Sequence, residues 1–395
     1  MSQMLKSNLP FVDVMRGLAI LGVFLFHALG TSFGFDQLKW EGLFRDWSAP
    51  LSFLALYPFT YGSYGVAIFF VVSGFCIHLS HIRSNESGWL GFFCRRFFRI
   101  YPPYLFAVAT FFFVWPWGSW HIDSGERIKQ LASHVLSIHN LSKGTFFGIN
   151  PSFWSIGVEL QLYLIYPALL LLSQRFGWKR SLIVTFICEI LIRLVDACLL
   201  TSGQRPLPML IAGSPFAYWF SWSLGGYIAQ QAIAGVTPRL LSRISFPCVA
   251  GMAVLAPFAK PTAPFSFLIA ALGTGVAFER LLSGRWQIQS SVASSFLTRH
   301  LVFLGMVSYS FYLIHQPVLT KFWQLLTRVY PSAPIPPLTS FALCCAMYPC
   351  VLATAYLAYR WIESPSIAIG TRLRKRLQNQ TTVHASPSPP SGQSP

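Results

Sequence analysis

Acidic side chains are scarce in this chain. Only 12 of its 395 residues are Asp or Glu, and charged residues of both signs make up 10% of the total. That is too little charge to clothe a soluble domain of this size. With 54% hydrophobic residues, 36 Phe and a mean hydropathy of +0.52, the composition is that of an integral membrane protein. Short alternating strands are missing, which excludes a membrane barrel and leaves a helical bundle. The eight cysteines show no C-x-x-C spacing, so neither a metal nor a disulfide framework is indicated. Seven of them, Cys76, Cys188, Cys198, Cys248, Cys344, Cys345 and Cys350, fall in apolar runs and read as small packing residues. No internal repeat stands out, and no soluble catalytic domain is expected.

Ten apolar stretches have the roughly 20-residue length that crosses a ~30 Å hydrocarbon layer as helix. They lie near residues 11–32, 63–83, 100–121, 152–173, 181–201, 208–231, 244–260, 264–282, 300–323 and 338–362. The fold class expected is therefore all-α, a polytopic membrane bundle of about ten helices over residues 1–376. Residues 377–395 form a polar, Pro/Ser-rich tail expected to be disordered.

The formal charge of +17 does not point to nucleic acid, because the basic residues alternate sides. Lys6, Arg83, Arg95, Arg96, Arg99, Arg175, Lys179, Arg180, Arg239, Arg243, Arg280, Arg285, Arg299 and Arg372 fall at one set of helix ends, as do Arg374, Lys375 and Arg376. Positive-inside bias makes those ends cytoplasmic and places both termini in the cytoplasm. The first apolar run is too long for a cleavable signal and carries Asp13 and Arg16.

Arg16 and His27 lie in that run, FVDVMRGLAILGVFLFHALG. An ionisable group held in hydrocarbon costs a few kcal/mol or more unless it faces a protein interior, so it marks a functional candidate. At ~1.5 Å rise per residue His27 stands roughly 16 Å beyond Arg16, toward the outer leaflet. Glu159 in PSFWSIGVELQLYLIYP and His315 in SYSFYLIHQP reach the same outer half from two other spans. The three are expected to meet at one level. A second cluster, Arg95, Arg96 and Arg99 in FFCRRFFRIYPPYL, is expected just before span three, where i to i+3 or i+4 spacing turns two guanidinium groups to one face. Such forks suit phosphate oxygens, and a positive-inside anchor for anionic lipid is the plain alternative.

Several readings are structural. Glu189, Arg193 and Asp196 have the spacing of a self-satisfied ion pair. Ser73-Gly74 suits close helix approach. His78 and His81 read as interfacial rather than as a metal pair, and Glu363, near Arg360, as fixing the end of span ten. No metal site is expected.

The motifs, in order, resemble the membrane-bound acyltransferase 3 family. They are D-x-x-R-G-x-A-I-L-x-V-x-x-x-H from Asp13 to His27, G-V-x-I-F-F-V-V-S-G-F from Gly65 to Phe75, and R-R-x-x-R-I-Y-P-P-Y from Arg95 to Tyr104. W-S-x-x-x-E follows at Trp154 to Glu159, S-Y-x-x-Y-L-x-H at Ser308 to His315, and I-E-x-P at Ile362 to Pro365. The resemblance covers nearly the whole chain. It implies a ten-helix protein of the bacterial inner membrane. Such a protein takes an acyl group, usually acetyl, from cytoplasmic acyl-CoA and delivers it to a saccharide hydroxyl at the outer face. Arg16 and His27 would be essential, and Arg95, Arg96 and Arg99 would bind the donor. Some relatives add an extracellular SGNH-type domain, and without one the transfer finishes in the membrane domain or on a separate protein.

On this reading His27 is the base that activates the acceptor hydroxyl. Glu159 orients the imidazole or holds the sugar, and Asp13 and His315 are further candidates. A covalent acyl-enzyme on Ser73, Ser155 or a tyrosine is the alternative to direct transfer. Membrane lipid, a surface or lipid-linked saccharide and polysaccharide-assembly proteins are the expected partners. Trp40, Trp47, Trp120 and Tyr57 in the outer loops are candidates for stacking on sugar rings. Succinyl transfer to a periplasmic glucan, acylation of a secondary metabolite and a transporter without chemistry are the competing functions.

Overall fold

A computed structural model describes residues 9–34, 55–83, 89–114, 124–237, 239–286, 295–329 and 335–384, and among them there is no strand. Helix α1 (Pro10–Phe33) starts with proline at its first position, where the missing N–H costs nothing. A 3-10 run, Tyr57–Tyr64, leads into α2 (Gly65–Arg83). Helix α3 (Trp89–Ala109) is prolonged by a π turn, Thr110–Val114, and α4 (Ser124–Val135) follows. Helices α5 (Trp154–Phe176) and α6 (Trp178–Thr201) are joined through Gly177 alone, whose φ of 79° lies in the region that favours glycine. Then come α7 (Trp219–Ile233), α8 (Phe246–Leu255), α9 (Ser266–Leu282), α10 (Phe296–Met306) and α11 (Ser308–Val329). Helices α12 (Pro337–Ala346) and α13 (Tyr348–Ala358) continue through a second π turn, Tyr359–Glu363, into α14 (Ser364–His384).

Every one of the ten expected spans contains helix, but the spans are not alike. Six helical stretches among the described residues are long and apolar enough to cross a membrane, and α10 with α11, bent by 84°, makes a seventh if the pair is one broken span. The other three carry interruptions. Helix α6 bears Lys179, Arg180, Glu189, Arg193 and Asp196, while α7 and α8 run for only 15 and 10 residues. Together these features make the chain an all-α, multi-pass membrane protein.

Small residues set the closest helix crossings, as expected where lipid supplies no hydrophobic drive. A Cβ at Gly74 of α2 would overlap the Trp222 carbonyl of α7, and one at Gly225 of α7 would overlap the Val71 carbonyl in return. Helix α1 meets α10 in the same way, through Gly17 against Leu301 and Gly305 against Asp13. Between these crossings lies a core of large apolar side chains that includes Phe24, Tyr104, Phe153, Tyr166, Trp222 and Phe311.

Glu189 and Arg193 form a buried ion pair at 3.5 Å. It is shared rather than self-contained. Glu189 also accepts the Ser221 backbone N–H and hydroxyl at 3.0 and 2.8 Å, and Arg193 donates to the Ala217 carbonyl at 2.6 Å. These bonds tie α6 to the start of α7, so buried charge is compensated by backbone groups of a second helix.

Candidate active site

Helices α1, α2, α3, α5 and α11 line a partly open cavity of about 100 Å³. Its walls carry three cations and one carboxylate: Arg16 from α1, Arg96 and Arg99 from α3, and Glu159 from α5. Arg96 is only 6% exposed, and its Nε and Nη2 have no hydrogen-bond partner. A buried guanidinium with idle donors is costly unless something else accepts from it. Phe92 lies 5.8 Å from its centre and supplies a ring face. Arg16 has Asp13 3.9 Å away, at the far edge of ion-pair range.

Glu159 sits in the middle of this wall. Its Oε1 accepts from the Ser73 hydroxyl at 2.6 Å and from the Tyr163 hydroxyl one turn along the same helix. Trp222 donates its indole N–H to Ser73 Oγ at 3.2 Å. One carboxylate oxygen therefore gathers donors from α2 and α5, and α7 holds Ser73 in place. Ser308 lines the same cavity with a buried hydroxyl that has no partner.

The two histidines meet at the opposite end of α1 from Arg16. His315 Nε2 lies 3.1 Å from His27 Nδ1, with ring centroids 4.9 Å apart. His315 is fully buried, and His27 is half-buried. Tyr312, one turn before His315, connects this pair to the cavity. Its hydroxyl donates to the Ser152 carbonyl at 2.9 Å and accepts from the Ser155 hydroxyl at 2.7 Å, and both Tyr312 and Ser155 are cavity walls.

The structure redraws three expectations. Glu159 is engaged by Ser73 and Tyr163 on the cavity wall, whereas His27 and His315 bond each other and are not among that cavity's lining residues. Arg95, Arg96 and Arg99 do not precede their span. Helix α3 begins at Trp89, eleven residues before the apolar stretch, and buries Phe92, Arg96 and Ile100 at four-residue spacing along one face. Arg96 and Arg99 share the cavity with Arg16 and Glu159, while Arg95 is not among its lining residues. Glu363 does not close a helix end. It lies buried in the second π turn and accepts from Ser310 at 2.6 Å.

His78 bonds the Tyr166 hydroxyl at 2.8 Å and the Gln230 side chain at 2.7 Å, and His81 stacks on Trp89. Tyr57 stacks on Phe258 at 5.3 Å within the fold. Trp40, Trp47 and Trp120 lie outside the described residues. Sequence reasoning missed Tyr163, Trp222 and Tyr312 as site residues. The spacing of Glu159 and Tyr163, four apart, was the one available signal for the first; nothing local marks Trp222.

The acyltransferase domain model of the acyltransferase 3 family matches residues 9–359. Acyltransferase MdmB of Streptomyces mycarofaciens is 25% identical over 93% of this chain and 94% of its own length. Peptidoglycan O-acetyltransferase OatA of Listeria monocytogenes is 24% identical over 91% of this chain, which spans only 56% of that relative. Nodulation protein 10 of Rhizobium leguminosarum is 28% identical over 33% of this chain and 39% of its own length. No solved structure matches.

Proposed function

This chain belongs to the acyltransferase 3 family, and from that premise we propose that it transfers acetyl from cytoplasmic acetyl-CoA to a saccharide hydroxyl at the outer face of a bacterial inner membrane. It is an acyltransferase by family, which sets aside the transporter reading. The observation that carries the donor assignment is the membrane-buried cavity with Arg16, Arg96 and Arg99 on its wall and idle donors on Arg96. Phosphate oxygens satisfy planar guanidinium donors in pairs.

In the transfer, His27 takes the proton of the acceptor hydroxyl as its oxygen attacks the thioester carbonyl. The carbon–sulfur bond breaks, and the proton passes to the departing thiolate. Arg16, Arg96 and Arg99 hold the donor, and Glu159 fixes the wall between donor and acceptor through Ser73 and Tyr163. A second reading, an acyl-enzyme on Ser73, is favoured by its 2.6 Å bond to Glu159. Acid-quenched protein carrying one extra acetyl on the peptide containing Ser73 would be its mark.

The test is transfer of label from acetyl-CoA to glycan in membranes containing the native polysaccharide, comparing the intact protein with His27→Ala at matched expression. Loss of label in the variant supports the assignment. Equal transfer by both proteins refutes the role given to His27, and thioester consumption by neither refutes acetyl-CoA as donor.

A further inference from the structure

His315 lies beyond the cavity wall and is not among its lining residues, yet its position decides what His27 can do. Its Nδ1 lies 2.9 Å from the Tyr312 carbonyl and 3.2 Å from the Phe311 carbonyl. Carbonyl oxygens only accept, so Nδ1 carries a proton and the neutral ring presents a lone pair at Nε2. His27 is held by the same device. Its Nδ1 lies 2.9 Å from the Val23 carbonyl, one turn back along α1, and therefore also carries a proton.

The 3.1 Å approach of His315 Nε2 to His27 Nδ1 then has one consistent sense. The His27 Nδ1–H is shared between the Val23 carbonyl and the His315 lone pair. Nε2 of His27 is left as the unprotonated nitrogen, which is the form a base needs. A His315 bearing a proton on Nε2 would set two N–H groups against each other. We propose that His315 is a positioning residue for the acyl transfer: a neutral acceptor that locks His27 in the Nδ1–H tautomer and steadies the imidazolium formed when Nε2 takes the acceptor's proton.

This inference rests on the role given to His27 above. It assigns to an uncharged imidazole the function that a carboxylate serves in Ser-His-Asp triads, where the buried acceptor sets the tautomer and orientation of the base. A neutral acceptor suits the location. A carboxylate here would need its own compensation within the apolar core beside Phe24 and Phe311, whose rings contact each other and, in the case of Phe311, stack on His315. Once His27 is protonated, its bond to His315 becomes charge-assisted, so the stabilisation grows as the proton moves.

The experiment measures kcat and KM for acetyl-CoA in the full-length protein for His315→Ala and His315→Gln, with His27→Ala alongside and thermal stability recorded for each. Gln retains a carbonyl acceptor. The expected result is a fall in kcat of about 10²-fold for His315→Ala with KM within twofold, the scale of a compromised general base. Recovery to within about tenfold of the intact protein by His315→Gln is expected from its acceptor. Unchanged kcat in His315→Ala, or a His315→Gln protein that is stable but as slow as His315→Ala, would overturn the positioning role alone. Full activity in His27→Ala would overturn the parent reading as well.

Discussion

Ser73 and Glu159, 86 positions apart in the chain, share a hydrogen bond of 2.6 Å across the wall of the arginine-lined cavity. The bond joins α2 to α5. It also gives the carboxylate a fixed direction, since Tyr163 donates to the same oxygen.

Charge and shape at Glu159 can be separated. Glu159→Gln keeps an oxygen that accepts from Ser73 and Tyr163, so the protein is expected to melt within a few degrees of the original. Turnover is expected to fall by on the order of 10-fold or more, because only the negative charge has gone. Thermal melting and transfer rate, measured on one preparation, check both halves, and unchanged turnover would leave the charge without a role.

Arg96 makes a donor-binding prediction. Two charge-assisted bonds at about 1.5–3 kcal/mol each are available from nitrogens that lack partners. Arg96→Gln is expected to raise KM for acetyl-CoA by roughly 10²–10⁴-fold, since about 1.4 kcal/mol is a tenfold change. Arg96→Lys is expected to recover part of that loss, because it restores charge without the fork. Initial-rate kinetics over donor concentration would show it; an unaltered KM would remove Arg96 from the donor site.

Gly74 tests the α2–α7 crossing. Gly74→Ala forces a methyl into the Trp222 carbonyl, and overpacking of this kind costs about 1–3 kcal/mol. A lower melting temperature in detergent is expected, together with weaker transfer, because Trp222 holds Ser73. Gly251→Ala, with nothing within 4 Å of the added Cβ, is the control expected to melt normally.

His134 and His139 carry the pH dependence. Their rings stack 4.1 Å apart at an interplanar angle of 10°, buried outside the membrane-spanning helices. Burial pushes His134 down to about 3, with His139 adding repulsion, and pushes His139 down to about 4. Both values lie below the ordinary 6.5, so the undocked segment takes up protons first. The stack's contribution is whole above about pH 6.5 and declines as pH falls toward 4, by up to about 1.4 kcal/mol per pH unit for each ring. Protection factors for hydrogen exchange in residues 124–150, taken relative to the intrinsic rate at each pH, are expected to fall between pH 7 and pH 5. Protection factors in this segment that do not change with pH would contradict it.

Much of the bundle was legible because a membrane imposes a simple rule: every backbone polar group must be satisfied within its own helix, so apolar length alone reveals spans. Arg16 and His27 were legible for the same reason, as ionisable groups where hydrocarbon tolerates none. The end of α3 was less so, since Trp89 to Cys94 is helical without belonging to a long apolar run. The short helices α7 and α8 were hidden because hydropathy does not report where a helix breaks.

The sequence by itself determined the membrane class, the family and the residue types that chemistry requires, because these follow from composition, spacing and the cost of burying charge. Only the tertiary structure decided which of them face one another. Two residues at the same depth on different helices point in unrelated directions until packing sets each helix's rotation. Here the Gly74–Trp222 and Gly17–Leu301 contacts belong to the crossings that set those rotations. In the packed bundle Glu159 faces Ser73 and the arginines, and His27 pairs with His315.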